Sequence, residues 1–196
     1  MPLTEELRGQ QFGANQDENA NFQNIASALS IPLRIRNQIQ PQGSNIQKRS
    51  PKTYGNIEQF ISDMGTITTP FMGSTRSEAE HPGIDIANKI GTAIKAFAPG
   101  VVKEVVTGKK QGDKAYGNYV VVEDPYGAKH RYSHLSQSYV RVGDRINAGD
   151  DIASMGATGN TYSTTGGTGS HLDYRIRDAA GIYLNPYSYL AKFLNS

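Results

Sequence analysis

The chain has 196 residues, no cysteine and a formal net charge of +2. Without cysteine it can hold no disulfide, no iron–sulfur cluster and no thiolate metal site. Such a small net charge gives no reason to expect binding to nucleic acid or to an anionic membrane. No apolar run approaches the roughly 20 residues that a transmembrane helix requires. The 21 glycines exceed the usual share of about 7% and indicate many tight turns.

The N-terminal part of the chain, residues 1–62, is rich in Asn and Gln. Its acidic, polar start lacks the basic and apolar segments of a secretory signal, so we expect no signal peptide. Amphipathic patterns over 22–29 and 57–64 predict short helices, and Gly65 is placed to end the second. Each apolar stripe is too small to fold alone. We therefore expect 1–62 to be a partly helical arm that docks on a partner, with a loosely packed linker as the alternative.

Beyond the arm, residues 63–196 have the pattern of a β-domain. Short apolar and β-branched runs alternate with Gly- and Pro-containing turns, and no regular strand–helix alternation is present, which disfavours a parallel sheet. The sequence therefore predicts a mainly β fold, a compact antiparallel β-sheet domain. The predicted strands are 93–97, 101–106, 119–123, 129–135, 152–155 and 171–177.

Histidine and aspartate come in two pairs in this domain. His81 precedes Asp85 by four residues, and Gly83 between them allows the chain to bend so that both side chains converge. In a strand, His171 and Asp173 share one face because side chains alternate. Nitrogen and oxygen ligands of this kind suit zinc, for which three protein ligands and a water form the catalytic arrangement. The alternative is that all are ordinary polar residues on a solvated sheet face.

The other two histidines lie in one predicted strand. By the same alternation His130, Tyr132 and His134 share a face. We expect His130 to be a surface residue of this strand.

Several short motifs follow one another in a fixed order through the β-domain. They include His81-Pro82-Gly83-Ile84-Asp85, Tyr116-Gly117-Asn118-Tyr119-Val120, Tyr132-Ser133-His134-Leu135, Gly156-Ala157-Thr158-Gly159 and His171-Leu172-Asp173. Over roughly 66–190 the sequence in this way resembles the lysostaphin-type zinc endopeptidases, which cleave peptides of bacterial peptidoglycan. The resemblance implies the lysostaphin-type peptidase fold, which is similar to the duplicated hybrid motif, with a groove closed by loops.

The resemblance also implies roles for particular residues. His81 and Asp85 match metal ligands of the family. His134 and His171 match its two non-ligating catalytic histidines, which activate the attacking water and stabilise the tetrahedral intermediate. We further expect Tyr132, Asn118 and Thr168 to line the substrate groove.

One residue departs from the family pattern. Asp173 stands where the His-x-His motif has its second histidine, the third zinc ligand. A carboxylate can bind zinc at about 2.0–2.2 Å, so we expect His81, Asp85 and Asp173 to hold Zn²⁺. The second carboxylate weakens the Lewis acidity of the metal and makes Mn²⁺ more competitive. The loop 161–170 is also longer than its family counterpart, and we expect it at the edge of the groove.

Together these features predict a metal-dependent endopeptidase, a zinc metalloendopeptidase that hydrolyses peptidoglycan. The changed ligand leaves a second hypothesis open, a degenerate, non-catalytic peptidase-like domain that serves as a structural or docking module. A third is a carbohydrate- or peptide-binding domain without metal.

The biological setting is predicted from the arm and the missing signal pattern. We expect a bacteriophage tail or virion component that opens the cell wall at infection and acts in the periplasm or cell wall. The arm 1–62 would bind other virion proteins. An endolysin, or a bacterial protein with a trimmed leader, is the alternative.

Overall fold

The computed structural model describes residues 57–108, 115–163 and 166–194, all within one compact unit. The predicted helix over 22–29 lies outside the described residues. The division into 1–62 and 63–196 therefore stays a prediction, as does the docking role of the arm. No helix of the described part is long and apolar enough to cross a membrane.

The described residues form two helices and eleven strands. In chain order these are α1 (Ile57–Ser62), β1 (Thr66–Thr69), β2 (Ile84–Ala87), β3 (Ala93–Lys95), β4 (Gly100–Val106), β5 (Tyr119–Glu123), β6 (Lys129–Ser133), β7 (Leu135–Ser138), β8 (Arg145–Ile146), β9 (Asp151–Met155), β10 (His171–Arg177), β11 (Tyr183–Leu184) and α2 (Pro186–Leu194).

Two antiparallel sheets make up the domain. The larger has the order β1-β2-β10-β6-β5-β4-β8, and β11 pairs with β10 outside this path. The smaller has the order β3-β9-β7. Every strand pair among the described residues is antiparallel, which confirms the predicted fold class. The larger sheet carries the candidate site, because β2, β10 and β6 lie side by side in it.

Alternation of buried and outward side chains on β10 agrees with the sequence. Leu172, Tyr174 and Ile176 are fully buried, so the odd-numbered residues of β10 lie on the opposite face. Tyr174 packs against Phe97 and Tyr132, with ring centroids 4.3 Å and 5.0 Å away. This aromatic cluster fixes the inner face of β10 and β6, and thereby which side chains the strands present on the outer face.

Helix α1 forms within the predicted segment 57–64. Its side chains Ile57, Phe60 and Ile61 are buried in the same core as the strands. Phe60 makes an edge-to-face contact with Phe97 at 5.1 Å between ring centroids. This contact supplies the burial that a six-residue helix needs, since such a helix is not stable by itself.

His130 is not the surface residue that the sequence predicts. It is fully buried, and its Nε2 donates to Oδ2 of Asp124 at 3.1 Å while Nδ1 accepts from the hydroxyl of Tyr174 at 2.6 Å. The hydroxyl of Tyr189 in α2 also donates to Asp124 at 2.6 Å. His130 faces inward because it is on the side of Tyr132 in the pleat. Its polar atoms are satisfied within the fold, so it has a structural role.

Helix α2 and strand β2 are not predicted from the sequence. Asn185 and Pro186 are good start signals for α2, and the amide of Tyr187 donates to the Asn185 side chain at 3.0 Å. Strand β2 carries Asp85 between Ile84 and Ile86, all three of them buried, so it lacks the alternation expected of a half-buried strand.

Candidate metal centre and groove

Three predicted ligands lie together on the larger sheet. Asp85 of β2 is directly opposite Asp173 of β10 in the strand register, and His81 precedes β2 by three residues. The Nε2 atom of His81 is 3.2 Å from Oδ1 of Asp85 and 3.7 Å from Oδ1 of Asp173. Among the described residues, these three side chains form a group that could hold a metal ion, with ligand atoms all within 4.8 Å of one another.

Gly83 permits this convergence by close approach. A Cβ atom at this position would lie 2.5 Å from the carbonyl oxygen of Tyr174 and 2.6 Å from Cγ of Arg175. Any side chain would therefore push the segment between His81 and Asp85 away from β10. The sequence correctly singles out Gly83. The structure requires glycine here because a side chain would not fit against the neighbouring strand β10.

The donor atoms fit a tetrahedral cation. Nε2 of His81 and Oδ1 of Asp85 are buried and have no hydrogen-bond partner, which normally costs about 1–3 kcal/mol for each such group. Ligands about 2.1 Å from a tetrahedral zinc ion are about 3.4 Å apart, close to the observed 3.2 Å and 3.7 Å. The donor set and its spacing are therefore compatible with a zinc ion.

Arg175 connects the cluster to a third carboxylate, Glu78, which the sequence does not predict as part of the site. Its Nε donates to both oxygens of Asp173, at 2.8 Å and 3.0 Å, and its two terminal nitrogens donate to Glu78, both at 2.9 Å. Glu78 in turn contacts Nδ1 of His81 at 2.8 Å. One guanidinium thus orients Asp173 directly and His81 through Glu78. Arg175 could have been found by the period of two, since it follows Asp173 on the same strand face.

The hydrogen bonds from Arg175 leave Asp173 able to bind a cation. Each carboxylate oxygen has two lone pairs, so Oδ1 can accept from Arg175 and still offer a lone pair towards His81. Arg175 also offsets the negative charge that Asp173 brings to the cluster.

The carboxylates around His81 favour a positive charge at the cluster despite this compensation. Burial alone would lower the pKa of His81, but the carboxylates of Asp85, Asp173 and Glu78 raise that pKa above its usual value. Burial alone would raise the pKa of Asp85, but His81 and His171 lower it, so the carboxylate is ionised at neutral pH. Such surroundings favour a cation.

His134 and His171 lie beside the cluster with their ring centroids 4.6 Å apart. Nδ1 of His134 is 2.7 Å from the carbonyl oxygen of Thr158, and Nδ1 of His171 is 2.8 Å from that of Gly169. A carbonyl oxygen only accepts, so both Nδ1 atoms carry the proton and both Nε2 atoms have a free lone pair when the rings are neutral. Nε2 of His171 is 3.9 Å from Oδ1 of Asp85.

His134 reaches this position through a left-handed backbone. Its φ is 63°, which interrupts the predicted strand 129–135 between β6 and β7. The expectation that His130, Tyr132 and His134 share a face is therefore wrong, since only the first two face the core. Burial and the charge of His171 lower the pKa of His134, which favours the neutral ring.

A groove of about 890 Å³ contains the cluster and both histidines. Thr168 lines it as predicted, together with Tyr162 and Ser163 of the long loop. Tyr132 does not, because it is fully buried and its hydroxyl accepts from the amide of Phe97. Asn118 is also outside this lining. Its side chain instead accepts from the amide of Gly108 and donates to the carbonyl of Leu135, so it holds neighbouring segments together.

Comparison with known proteins identifies the family. The sequence profile of Peptidase family M23 matches residues 79–186, which is more than half of the chain. The chain therefore belongs to Peptidase family M23. The matched range contains all three candidate ligands and both groove histidines.

Named relatives resemble this chain over its β-domain. Peptidoglycan DD-endopeptidase ShyC of Vibrio cholerae serotype O1 is 33% identical over 106 residues, which cover 54% of this chain and 22% of ShyC. Murein hydrolase activator NlpD of Salmonella dublin is 35% identical over 114 residues, which cover 58% of this chain and 27% of NlpD. The aligned part thus spans about a quarter of the length of these relatives.

Solved structures support the lysostaphin-type fold. Lysostaphin from Staphylococcus simulans has a TM-score of 0.54 and 26% identity, covering 67% of this chain and 51% of lysostaphin. A catalytic-domain mutant of the prophage-encoded M23 protein EnpA from Enterococcus faecalis has a TM-score of 0.50 and 27% identity, covering 62% of this chain and 88% of that domain.

Replacing Arg175 tests the charge balance of the cluster. Arg175→Met leaves Asp173 and Glu78 without their buried cation, so we expect the metal-free protein to lose about 3 kcal/mol of unfolding free energy. Zinc should then stabilise the variant more than the unaltered chain, because a bound cation replaces the missing charge. Urea unfolding with EDTA and with zinc measures both effects.

The exposed Arg145 provides the matched control, and Arg145→Met should change neither quantity. An equal gain from zinc in the Arg175→Met variant and the unaltered chain would contradict this charge balance.

Proposed function

We propose that this chain is a metal-dependent endopeptidase that hydrolyses peptide bonds in bacterial peptidoglycan. The observation that carries the proposal is the pair of buried donor atoms without hydrogen-bond partners, Nε2 of His81 and Oδ1 of Asp85, beside two histidines with fixed tautomers. Membership of Peptidase family M23 supports a peptidase, and the similarity to the DD-endopeptidase ShyC supports peptidoglycan as its substrate.

The residues that would hold the metal are His81, Asp85 and Asp173. A zinc ion there would supply a Lewis acid that polarises the scissile carbonyl and lowers the pKa of a water molecule. Two carboxylates in the set keep Mn²⁺ as an alternative cation. Arg175 offsets one of the two negative charges, so it favours the stronger Lewis acidity that peptide hydrolysis requires.

The two groove histidines supply proton transfer. His134 is held neutral by burial, and its free Nε2 takes a proton from the attacking water as general base. The bond from Nδ1 to Thr158 keeps this ring in the required tautomer and orientation. His171 is held in the same way by Gly169. When protonated at Nε2, it donates to the oxyanion of the tetrahedral intermediate.

A second candidate function is a non-catalytic docking domain. Both oxygens of Asp173 already accept hydrogen bonds from Arg175, so Asp173 is satisfied within the fold without a metal. The similarity to NlpD, named as an activator of murein hydrolases, is consistent with such a role. We favour the enzyme because a docking domain gives no reason for the buried donor atoms and the paired histidine tautomers.

Single substitutions of the histidines test the enzyme. His134→Ala and His171→Ala should each reduce cleavage of purified peptidoglycan by at least about 100-fold, the usual contribution of a general acid or base. Product release measured by muropeptide chromatography, in the presence of zinc, gives the rates. Both variants should keep their circular dichroism spectrum, since neither side chain is part of the core.

Gln137→Ala, an exposed change close to His134 in sequence, is the matched control and should cleave like the unaltered chain. Undiminished cleavage by either histidine variant would exclude its assigned role. If the unaltered chain with bound zinc cleaves nothing, the docking domain becomes the better account.

We also propose that the protein acts on the cell wall as a phage tail or virion component, with 1–62 binding other virion proteins. The similarity to the prophage-encoded EnpA supports a phage origin. Particles produced by cells that encode the chain should contain its peptides in stoichiometric amounts by mass spectrometry. Peptides confined to the lysate, with none in washed particles, would favour the endolysin alternative.

A further inference from the structure

A second cavity lies on the same outer face of the larger sheet, beyond Arg175. Its volume is about 220 Å³. We call it the basic cavity and define it by six of its lining residues, Lys129, Arg131, Arg175, Arg177, Tyr119 and Tyr183. Arg175 also lines the main groove, so the two spaces share this side chain.

The strand register places the four cations together. Arg175 of β10 is directly opposite Arg131 of β6, and Arg177 is opposite Lys129. All four project to the outer face, because the residues between them face the core. Like charges directly opposite one another destabilise a sheet unless something compensates them. The cluster therefore needs either protein carboxylates or a bound anion.

Protein carboxylates compensate only part of this charge. Arg175 is paired with Asp173 and Glu78. Within the described parts of the chain, Lys129, Arg131 and Arg177 make no such ion pair.

The nearby acids are few. Glu104 lines the cavity and accepts from Tyr119 at 3.4 Å. Glu123, which is opposite Lys129 on β5, pairs with Lys103 at 2.9 Å. One glutamate thus faces three cations that have no carboxylate partner.

Arg131 has buried donor atoms that the described residues leave unsatisfied. Its guanidinium stacks on Tyr116, with Cζ 3.5 Å from the ring centroid. Its Nε and Nη2 atoms are buried and have no hydrogen-bond partner among the described residues. A guanidinium with unused donors is suited to a carboxylate, which can accept from two of them.

The cations of the basic cavity also affect the pKa of Tyr183. Arg177 stacks on its ring at 4.1 Å and hydrogen-bonds to its hydroxyl. Burial alone would raise the pKa of Tyr183, but the hydrogen bonds from Arg177 and Arg175 lower it below its usual value. The cavity therefore stabilises negative charge.

We propose that the basic cavity binds a carboxylate of the peptide that the chain cleaves. This inference rests on the proposed function and names a feature of its substrate. Arg177 is four positions after Asp173 along β10, a distance of about 13 Å at the usual rise of an extended chain. A substrate peptide lying extended on this face would place its carboxylate about four residues from the cleaved bond.

Matched substrates test the inference on the full chain. Two preparations of one muropeptide are compared, one with free carboxylates and one with the carboxylates amidated. We expect kcat/KM to be about tenfold higher for the free form, because one hydrogen bond to a charged group contributes a free energy of this size. The difference should lie mainly in KM. In the double variant Lys129→Gln and Arg177→Gln this ratio should fall to about one. Lys103→Gln is the control and should keep the tenfold ratio.

Calorimetry on the metal-free chain, with the chelator removed by dialysis, separates this inference from the proposed function. If the free muropeptide binds more tightly than the amidated form, and the double variant loses the difference, the inference stands even if no cleavage occurs. Equal binding and cleavage of the two forms would overturn it, as would a ratio that the double variant leaves unchanged. Inorganic phosphate would assign the cavity to a phosphate-bearing wall polymer instead, if it binds as tightly as the free muropeptide and if the double variant weakens both to the same extent.

Discussion

The register between β2 and β10 is the constraint on which the site depends. It places Asp85 directly opposite Asp173, and two carboxylates in that position repel one another. The fold can tolerate the pair only if positive charge lies beside it. His81 and Arg175 supply part of that charge, and the uncoordinated donor atoms of His81 and Asp85 indicate a place for a metal cation.

From this point the charge along the outer face of the sheet changes from negative to positive. Asp173 is followed at intervals of two by Arg175 and Arg177. The outer face of β10 therefore has the anionic cluster at one end and the basic cavity at the other. Arg175 belongs to both. A substrate bound along this face would present its scissile carbonyl to one end and negative charge to the other. Under the proposed function, the guanidinium of Arg175 would therefore contact both the metal site and the substrate-binding cavity.

Much of this arrangement could be predicted from sequence, because alternation and motif order are local. The same-face placement of His171 and Asp173 follows from the period of two, and Gly83 is readily singled out between His81 and Asp85. The position of His134 could not be predicted in this way, since its left-handed φ of 63° breaks the alternation. The sequence pattern assigns His130, Tyr132 and His134 to one face. For this reason it also fails to predict that His130 and Tyr132 are buried.

The central claim is that His81, Asp85 and Asp173 form one metal site despite the ion pair between Asp173 and Arg175. Anomalous diffraction at the zinc edge, from crystals of the full chain grown with zinc, tests it directly. We predict one strong peak within about 2.2 Å of His81 Nε2 and of an oxygen from each aspartate, with Arg175 still bound to Asp173. No peak at this cluster, or a peak coordinated without Asp173, would contradict the account.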